Sequence, residues 1–320
     1  MADLKNTSIN SIVKKKKTVW FLALLLVVLL WGLAPINTNY LLKYTSPSAY
    51  ATAVGVIAFL SLLLINCKKL HLLSFDYFKI AVPIGLVLAI AEILQKIGLP
   101  YTTPARYAFL ENLSCVVVPI LTYAFTKVKP TIFKILGAVL CIVGSFILSG
   151  VNLSSGTIGI GIGEILCALA GFLYGVNISA TGAFSKKLDS SLYVMIQMGV
   201  YAVAGVISSL IMSMPVFGGS LEENFSFCFE PLFLILLIGG TLLTSTLCWI
   251  LRTHCMKYID ATVIAVVAPC SAVITGFVSV LTGTDTFSVN LLLGGIIAVV
   301  AVIISGIEPK KRKTNTPTFE

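Results

Sequence analysis

The sequence predicts an all-α integral membrane protein of ten transmembrane helices, arranged as two inverted five-helix repeats. Three observations predict this fold: an apolar composition, a regular series of apolar runs, and similar residues that recur in the two halves. Of the 320 residues, 58% are hydrophobic and 11% are charged, and the mean hydropathy is +1.01. Soluble domains carry about 25% charged residues, so this composition is that of a chain embedded in a bilayer.

Ten apolar runs of about 20 residues follow one another, each long enough to cross about 30 Å of hydrocarbon as a helix. The first run extends past Trp31 to Pro35, which is too long for the apolar region of a cleaved signal peptide. The runs are centred on Val27, Ile57, Leu88, Ser114, Leu140, Gly171, Ala202, Gly240, Ser271 and Ala298. The chain therefore divides into a basic N-terminal tail (1–17), a first unit (18–150), a second unit (159–306) and a basic C-terminal tail (307–320).

Residues that recur at a nearly constant offset relate the second unit to the first. Trp31-Gly32 recurs as Tyr174-Gly175, an offset of 143 residues, and Ser114 recurs as Ser271, an offset of 157. The 14 additional residues (157 less 143) fit the acidic loop 214–231. Because each unit contains five spans, the second unit enters the membrane in the opposite orientation. Inverted repeats of this kind give secondary transporters two states that open to opposite sides.

The positions of the basic residues predict the orientation in the membrane. The formal net charge is +9, and ten spans with a cytoplasmic N-terminus place all but Lys43, Lys96 and Arg106 of the 22 Lys and Arg residues on the cytoplasmic side. This positive-inside bias places both termini in the cytoplasm of an inner or plasma membrane. The basic charge is then explained by topology and by contact with the lipid bilayer, so no nucleic-acid partner is expected.

The sequence contains no cluster of residues that is typical of a catalytic or metal site. The two histidines, His71 and His254, lie apart in predicted cytoplasmic loops, and the eight cysteines form no CxxC pair. Metal sites and activated nucleophiles depend on such clusters. We therefore expect no enzyme activity, no bound metal and no cofactor.

Two carboxyl groups inside predicted spans mark a candidate substrate path. Glu92 lies about seven residues below the outer turn 98–103 and Glu111 about nine, so both are roughly 10–14 Å deep at 1.5 Å per residue. A charged side chain in hydrocarbon costs about 2.5–3.5 kcal/mol or more, and such residues usually face a cavity. Two neighbouring carboxyls also repel each other, which makes the proton a candidate coupling ion. The alternative is a structural ion pair with Arg106 or Lys96.

Other polar residues accompany these carboxyls on the same predicted helix faces. Gln95 shares a face with Glu92, and Tyr107 shares one with Glu111. Asn177 lies on the polar face of the sixth span, whereas Trp249 occupies the position of Glu92 in the second unit. Arg252 follows on the face of the eighth span and is placed at its cytoplasmic end.

Short motifs along nearly the whole chain resemble the EamA-type ten-span branch of the drug/metabolite transporter superfamily. They are Trp31-Gly32, Gly98–Thr103 with Ala108–Leu110, Val118-Pro119, Leu136-Gly137 and Leu293–Gly295. The resemblance implies a central cavity that is lined by spans one, three, four, six, eight and nine and opens alternately to each side. It places Asn112 on a cavity-side helix together with Glu92, Glu111, Asn177 and Trp249.

One position departs from the family pattern, which usually has an acidic residue nine positions before the glycine of the fifth and tenth spans. The second unit has Asp285 there, but the first has Val128 between two lysines. This departure argues against any role that requires a matched pair of acids.

The sequence thus predicts a secondary active transporter that moves a small organic solute by alternating access, with export of a metabolite or drug-like compound favoured by the resemblance. Two alternatives stay open: a flippase for a lipid-linked carrier, and a non-transporting membrane receptor or assembly factor that acts through the loop 214–231. The expected partners are a small-molecule substrate, the lipid bilayer and protons. The oligomeric state is open, a homodimer included.

Overall fold

The structure is a computed structural model that describes residues 2–102, 107, 110–148, 161–214, 230–281 and 289–307, with side chains from Thr18 onward. The described part consists of helices joined by turns. Twelve α-helices are numbered along the chain: α1 (Ala2–Leu41), α2 (Pro47–Asn66), α3 (Phe75–Gly98), α4 (Ser114–Thr126), α5 (Ile132–Leu148), α6 (Ile162–Phe184), α7 (Ser190–Met212), α8 (Pro231–Thr241), α9 (Cys248–Cys255), α10 (Ala261–Val267), α11 (Cys270–Leu281) and α12 (Val289–Ser305).

The lengths and composition of these helices confirm a multi-pass membrane protein. Seven helical stretches of the described residues are long and apolar enough to cross a membrane, and three more apolar stretches are shorter. The shorter three are Ser114–Thr126, Ile132–Ile147 and Leu292–Ser305. Many large apolar side chains on the outer faces are exposed, among them Leu64 and Val203, as expected where lipid surrounds the helices.

Glycines allow the helices of the first unit to pack closely on those of the second. A Cβ added to Gly55 in α2 would lie 2.9 Å from the Cα and N atoms of Ala202 in α7. In the same way, a Cβ on Gly137 in α5 would lie 2.9 Å from the Ala301 carbonyl oxygen in α12. Small residues at such crossings let helix backbones approach each other. The pairs α2 with α7 and α5 with α12 are the most extensive helix contacts of the molecule.

Several contacts occur twice in the molecule. The second contact of each kind is formed by the counterparts, in the other unit, of the two residues that form the first. A Cβ on Gly32 would meet Ile274 at 2.6 Å, and a Cβ on Gly175, its counterpart, would meet Val117, the counterpart of Ile274, at 2.7 Å. The hydroxyls of Thr38 and Tyr50 lie 3.3 Å apart. The hydroxyls of their counterparts, Thr181 and Tyr193, lie 3.1 Å apart.

The helices are interrupted at corresponding places in the two units. Before α4, Cys115 N–H bonds the Asn112 carbonyl, three residues back instead of four. Between α10 and α11, Ser271 N–H likewise bonds the Ala268 carbonyl, beside Pro269, which has no N–H to donate. When 157 is added to the residue numbers of the first interruption, they fall one residue from those of the second. They bring polar residues of both units to the centre of the molecule.

A third interruption occurs in the second unit alone. Between α8 and α9, residues Leu242–Leu247 form a π-helical turn, a feature that often accompanies functional sites. The indole N–H of Trp31 in α1 donates a hydrogen bond to the Thr244 carbonyl in this turn, at 3.1 Å. The corresponding part of α3 continues as an α-helix.

Several predicted features lie outside the described residues. They are Arg106, the motif residues Ala108 and Phe109, most of the loop 214–231, the linker near 152–157, Asp285 and most of the C-terminal tail. The basic run Lys14–Lys17 lies within α1, which begins at Ala2. The N-terminal segment is therefore helical.

Candidate functional site

A central cavity of about 130 Å³ lies where the two units meet. A cavity of this size has room for several waters or a small solute. Polar and aromatic residues of both units line it. Those of the first unit are Trp31, Thr38, Tyr50, Glu92, Gln95, Lys96, Tyr107, Glu111, Asn112 and Ser114, and those of the second are Tyr174, Thr244, Ser245, Trp249, Arg252, Ser271 and Thr275.

Six of the seven residues predicted from the sequence line this cavity: Glu92, Gln95, Tyr107, Glu111, Asn112 and Trp249. The seventh, Asn177, is fully buried and contacts the cavity through its hydrogen bond with Arg252. Helix α3 carries Glu92 and Gln95, and α9 carries Trp249. Glu111 and Asn112 lie directly before the start of α4, at the interruption described above.

Glu92 forms an ion pair within α3 and also lines the cavity. The Lys96 ammonium lies 3.2 Å from Glu92 Oε2, one helical turn away, and both side chains are 13% exposed. The same ammonium donates to Gln95 Oε1 at 3.3 Å. Gln95 Oε1 in turn accepts a hydrogen bond of 2.8 Å from the Tyr174 hydroxyl of α6. Glu92 therefore forms a structural ion pair and lines the cavity at the same time, so the two alternatives do not exclude each other.

The polar neighbours of Glu111 differ from those of Glu92. It interacts with the side chains of Gln95 and Tyr107, and the charges of Glu92 and Lys96 act on it electrostatically. Among the described residues, no basic side chain forms an ion pair with it. Asn112, next to it, donates from Nδ2 to the Ser145 hydroxyl of α5 at 2.8 Å. The two carboxyls predicted to share one depth thus differ in their partners.

Arg252 is a cavity residue that the sequence interpretation missed. Its position near the end of a span is as predicted, but its side chain is 2% exposed and lines the cavity. Its guanidinium carbon lies 4.0 Å from the centroid of the Trp249 ring and 5.9 Å from that of Trp31. Nη2 donates to Asn177 Oδ1 at 2.7 Å. A cation three residues after a cavity-side Trp was the available signal.

An aromatic cluster connects α1 with the end of α9 and the turn that follows it. Trp20 of α1 lies 4.2 Å from the His254 ring and 5.7 Å from the Tyr258 ring, measured between centroids. Cys255 Sγ donates to the Trp20 carbonyl at 3.2 Å. His254 and Tyr258 of this cluster follow Arg252 closely along the chain.

Known proteins resemble both the sequence and the fold. Residues 18–150 match the EamA-like transporter family. The match confirms the resemblance carried by the motifs of the first unit, and it is consistent with the drug/metabolite transporter superfamily.

Two individual proteins extend the comparison. A curated protein of Archaeoglobus fulgidus named an uncharacterized transporter is 29% identical over 165 residues, which cover 52% of this chain. The chain spans about half of the length of that relative, 49%. A solved crystal structure of another protein superposes with a TM-score of 0.70 at 14% identity, over 90% of this chain and 96% of the other. At that identity the superposition shows a shared fold.

Proposed function

We propose that the protein is a secondary active transporter that moves a small organic solute by alternating access around the central cavity. The observation that carries the proposal is the position of the cavity: it lies between the two units and is lined by both. Secondary transporters bind their solutes near the bilayer midplane between two repeats, where helices are discontinuous. The EamA-like match and the transporter name of the archaeal relative support the same class.

The proposed architecture is ten membrane spans in two inverted units, with both termini in the cytoplasm of the cell membrane. The seven long and three shorter apolar stretches supply ten helices. The contacts that recur between counterpart residues, such as Gly32 with Ile274 and Gly175 with Val117, support a two-fold relation between the units. The positive-inside bias supports the orientation. Export is the favoured direction, on the basis of the family resemblance.

Proton coupling would depend on Glu92 and Glu111. Both line the cavity, and ionisable groups inside spans commonly form proton pathways in transporters. Glu92 is held by Lys96, whereas Glu111 forms no ion pair among the described residues. Of the two, Glu111 is therefore the group that can gain and lose a proton without breaking an ion pair.

Flux into proteoliposomes tests the proposal. Vesicles with and without the protein are incubated with a mixture of small metabolites, and their contents are measured by mass spectrometry with and without a pH gradient. We expect at least one solute to be enriched by the protein, with a gradient dependence that Glu111→Gln abolishes. Asp76→Asn, which removes an exposed carboxyl at the start of α3, is the matched control.

Two results would contradict parts of this proposal. If no solute crosses faster than in protein-free vesicles, transport itself is wrong. If Glu92→Gln and Glu111→Gln both retain the gradient dependence of the unchanged protein, neither carboxyl takes part in coupling.

A further inference from the structure

Arg252 is a buried cation that forms no ion pair among the described residues. The ion pairs of the described residues are Lys69 with Asp189, Lys96 with Glu92 and Lys134 with Asp260, and none includes Arg252. Its side chain is 2% exposed. A buried guanidinium without a counter-charge is costly, and cations in membrane spans are retained where they serve a function.

The hydrogen bonds of Arg252 leave donors unused. A guanidinium has five N–H donors; Nη2 donates to Asn177 Oδ1, while Nε is buried and has no hydrogen-bond partner among the described residues. Nε and an Nη form one edge of the planar fork that matches the two oxygens of a carboxylate. The structure therefore contains a partly satisfied oxyanion donor that lines the cavity.

Asn177 and Trp249 hold this donor in place. Asn177 Nδ2 donates to the Ile84 carbonyl of α3 at 3.2 Å, so its oxygen is fixed toward Arg252. The Trp249 ring lies against the guanidinium at 4.0 Å. A cation held over an aromatic face is stabilised without losing its in-plane donors. The guanidinium is thus oriented in advance, which lowers the entropic cost of binding.

When Glu111 is protonated, the charges of the cavity favour a ligand with a single negative charge, because Glu111 is the cavity carboxyl that forms no ion pair among the described residues. Lys96 is neutralised by Glu92 at 3.2 Å, so Arg252 is the one cavity cation of the described residues that has no acidic partner within ion-pair distance. The volume of about 130 Å³ limits the ligand to a small molecule. Indole rings of Trp31 and Trp249, which lie 5.8 Å apart edge to face, offer apolar surface beside the fork.

We propose that Arg252 binds the carboxylate of the transported solute, which is then a small monocarboxylate with an apolar or planar body. The carboxylate would accept from Nε and from one N–H of Nη2, while the second N–H of Nη2 keeps its bond to Asn177. This inference rests on the proposed function, because it names the class of solute that the transporter moves.

Paired ligands that differ only in charge test the inference on the unchanged protein. The purified protein is heated in the presence of benzoate or of its neutral amide, benzamide, and of phenyl phosphate as a dianionic oxyanion; acetate with acetamide and butyrate with butyramide extend the series. We expect at least one carboxylate to raise the unfolding temperature and its amide to leave it unchanged. Phenyl phosphate should stabilise less than benzoate.

Substitution of the guanidinium locates the effect. Arg252→Gln should weaken carboxylate binding about 30-fold or more, since removing one partner of a buried charge pair costs at least about 2 kcal/mol. Arg252→Lys keeps the charge but loses the fork, so it should recover a part of the affinity. Lys68→Gln removes an exposed cation near the end of α2 and should change nothing.

The outcomes separate this inference from the proposed function. Equal stabilisation by amides and carboxylates, no stabilisation by any carboxylate at millimolar concentration, or an unchanged carboxylate effect in a folded Arg252→Gln protein would each overturn it. If the protein transports a neutral solute and Arg252→Gln transports it equally well, the inference is wrong and the transporter stands. If carboxylates bind through Arg252 but are not carried into vesicles, the site stands and transport is wrong.

Discussion

At the scale of residues, the centre of the molecule depends on polar contacts that cross between the two units. Asn177 is fully buried and connects the Ile84 carbonyl of α3 with the Arg252 guanidinium of α9. Hydrogen bonds to a charged group contribute about 1.5–3 kcal/mol, about twice as much as neutral ones. Asn177 therefore fixes the geometry of the cavity as well as its stability.

Removing the Asn177 amide should destabilise the protein substantially. We expect Asn177→Ala to lower the free energy of unfolding by about 2–3 kcal/mol, because Arg252 loses its acceptor while it remains buried. Heating in detergent, followed by tryptophan fluorescence, measures the change. Ser179→Ala is the control: Ser179 is equally buried but bonds neutral carbonyls, so about 0.6 kcal/mol is expected. Equal losses in the two variants would contradict a special role for Asn177.

The sequence predicted the identity of most cavity residues but not the partners of each one. Carboxyls in apolar runs are conspicuous, and Glu92 and Glu111 do line the cavity. Arg252 was assigned to the cytoplasmic end of its span because its burial depends on Asn177 and Trp31, which belong to other spans. Periodicity within a span carries no information about such contacts.

At the scale of helices, close packing depends on glycines that face another backbone. Gly55 of α2 has the Ala202 backbone of α7 at 2.9 Å from the position of a Cβ, whereas a Cβ at Gly239 of α8 would meet nothing within 4 Å. Both glycines lie in helices, so they differ in packing and share their backbone conformation. Comparing substitutions at Gly55 and Gly239 therefore distinguishes the effect of close packing from that of helix propensity.

Gly55→Ala should therefore destabilise the protein, and Gly239→Ala should not. Overpacking at a helix crossing costs about 1–3 kcal/mol, whereas alanine in an open helix position gains up to about 1 kcal/mol over glycine. Thermal unfolding of the two purified variants gives the comparison. A Gly55→Ala protein as stable as Gly239→Ala would show that α2 and α7 do not pack as closely as described.

Helix α7 begins at a carboxylate that responds to acid. Asp189 accepts from the N–H groups of Ser191 and Leu192 and pairs with Lys69 at 3.2 Å. Partial burial raises the pKa of Asp189, but the Leu192 N–H and the Lys69 ammonium outweigh that effect and hold the pKa below its usual range. The ionised form therefore stabilises the folded state.

The contribution of Asp189 should disappear in acid. Because the folded-state pKa lies below the unfolded value of about 3.9, the stabilisation is complete above that pH and is lost as the pH falls through the folded-state pKa. Unfolding temperatures measured between pH 7 and pH 3 should fall more steeply for the wild type than for Asp189→Asn. The effect is modest because the Asp189 side chain is 35% exposed. Asp76→Asn should keep the wild-type slope, and parallel slopes for all three proteins would contradict the assignment.

The sequence predicted the helices more completely than their interruptions. Apolar runs and their lengths located the helical stretches, but no interruption was predicted from them. The interruption at Asn112 has no proline, and the π-helical turn Leu242–Leu247 accompanies the hydrogen bond from Trp31 to Thr244. Both features depend on tertiary contacts, which a single span does not encode.

At the scale of the whole molecule, the proposed mechanism follows from the relation between the two units. Contacts such as Thr38 with Tyr50 and Thr181 with Tyr193 recur in both, while the charged residues of the cavity do not. Glu92 corresponds to Trp249, and Gln95 to Arg252. A shared frame supplies two states of similar energy, and the different side chains provide recognition of the solute.

The central claim is that one cavity opens to each side of the membrane in turn, and the accessibility of a single cavity cysteine tests it most directly. Ser271→Cys, in a background without native cysteines, places a thiol on the cavity wall. Val203→Cys, on a face that is 62% exposed and surrounded by lipid in the proposed fold, is the control. A membrane-impermeant thiol reagent is applied to intact cells and to inside-out vesicles. The account predicts that Cys at position 271 reacts from both sides and Cys at position 203 from neither; reaction from one side alone, under either direction of the pH gradient, would contradict it.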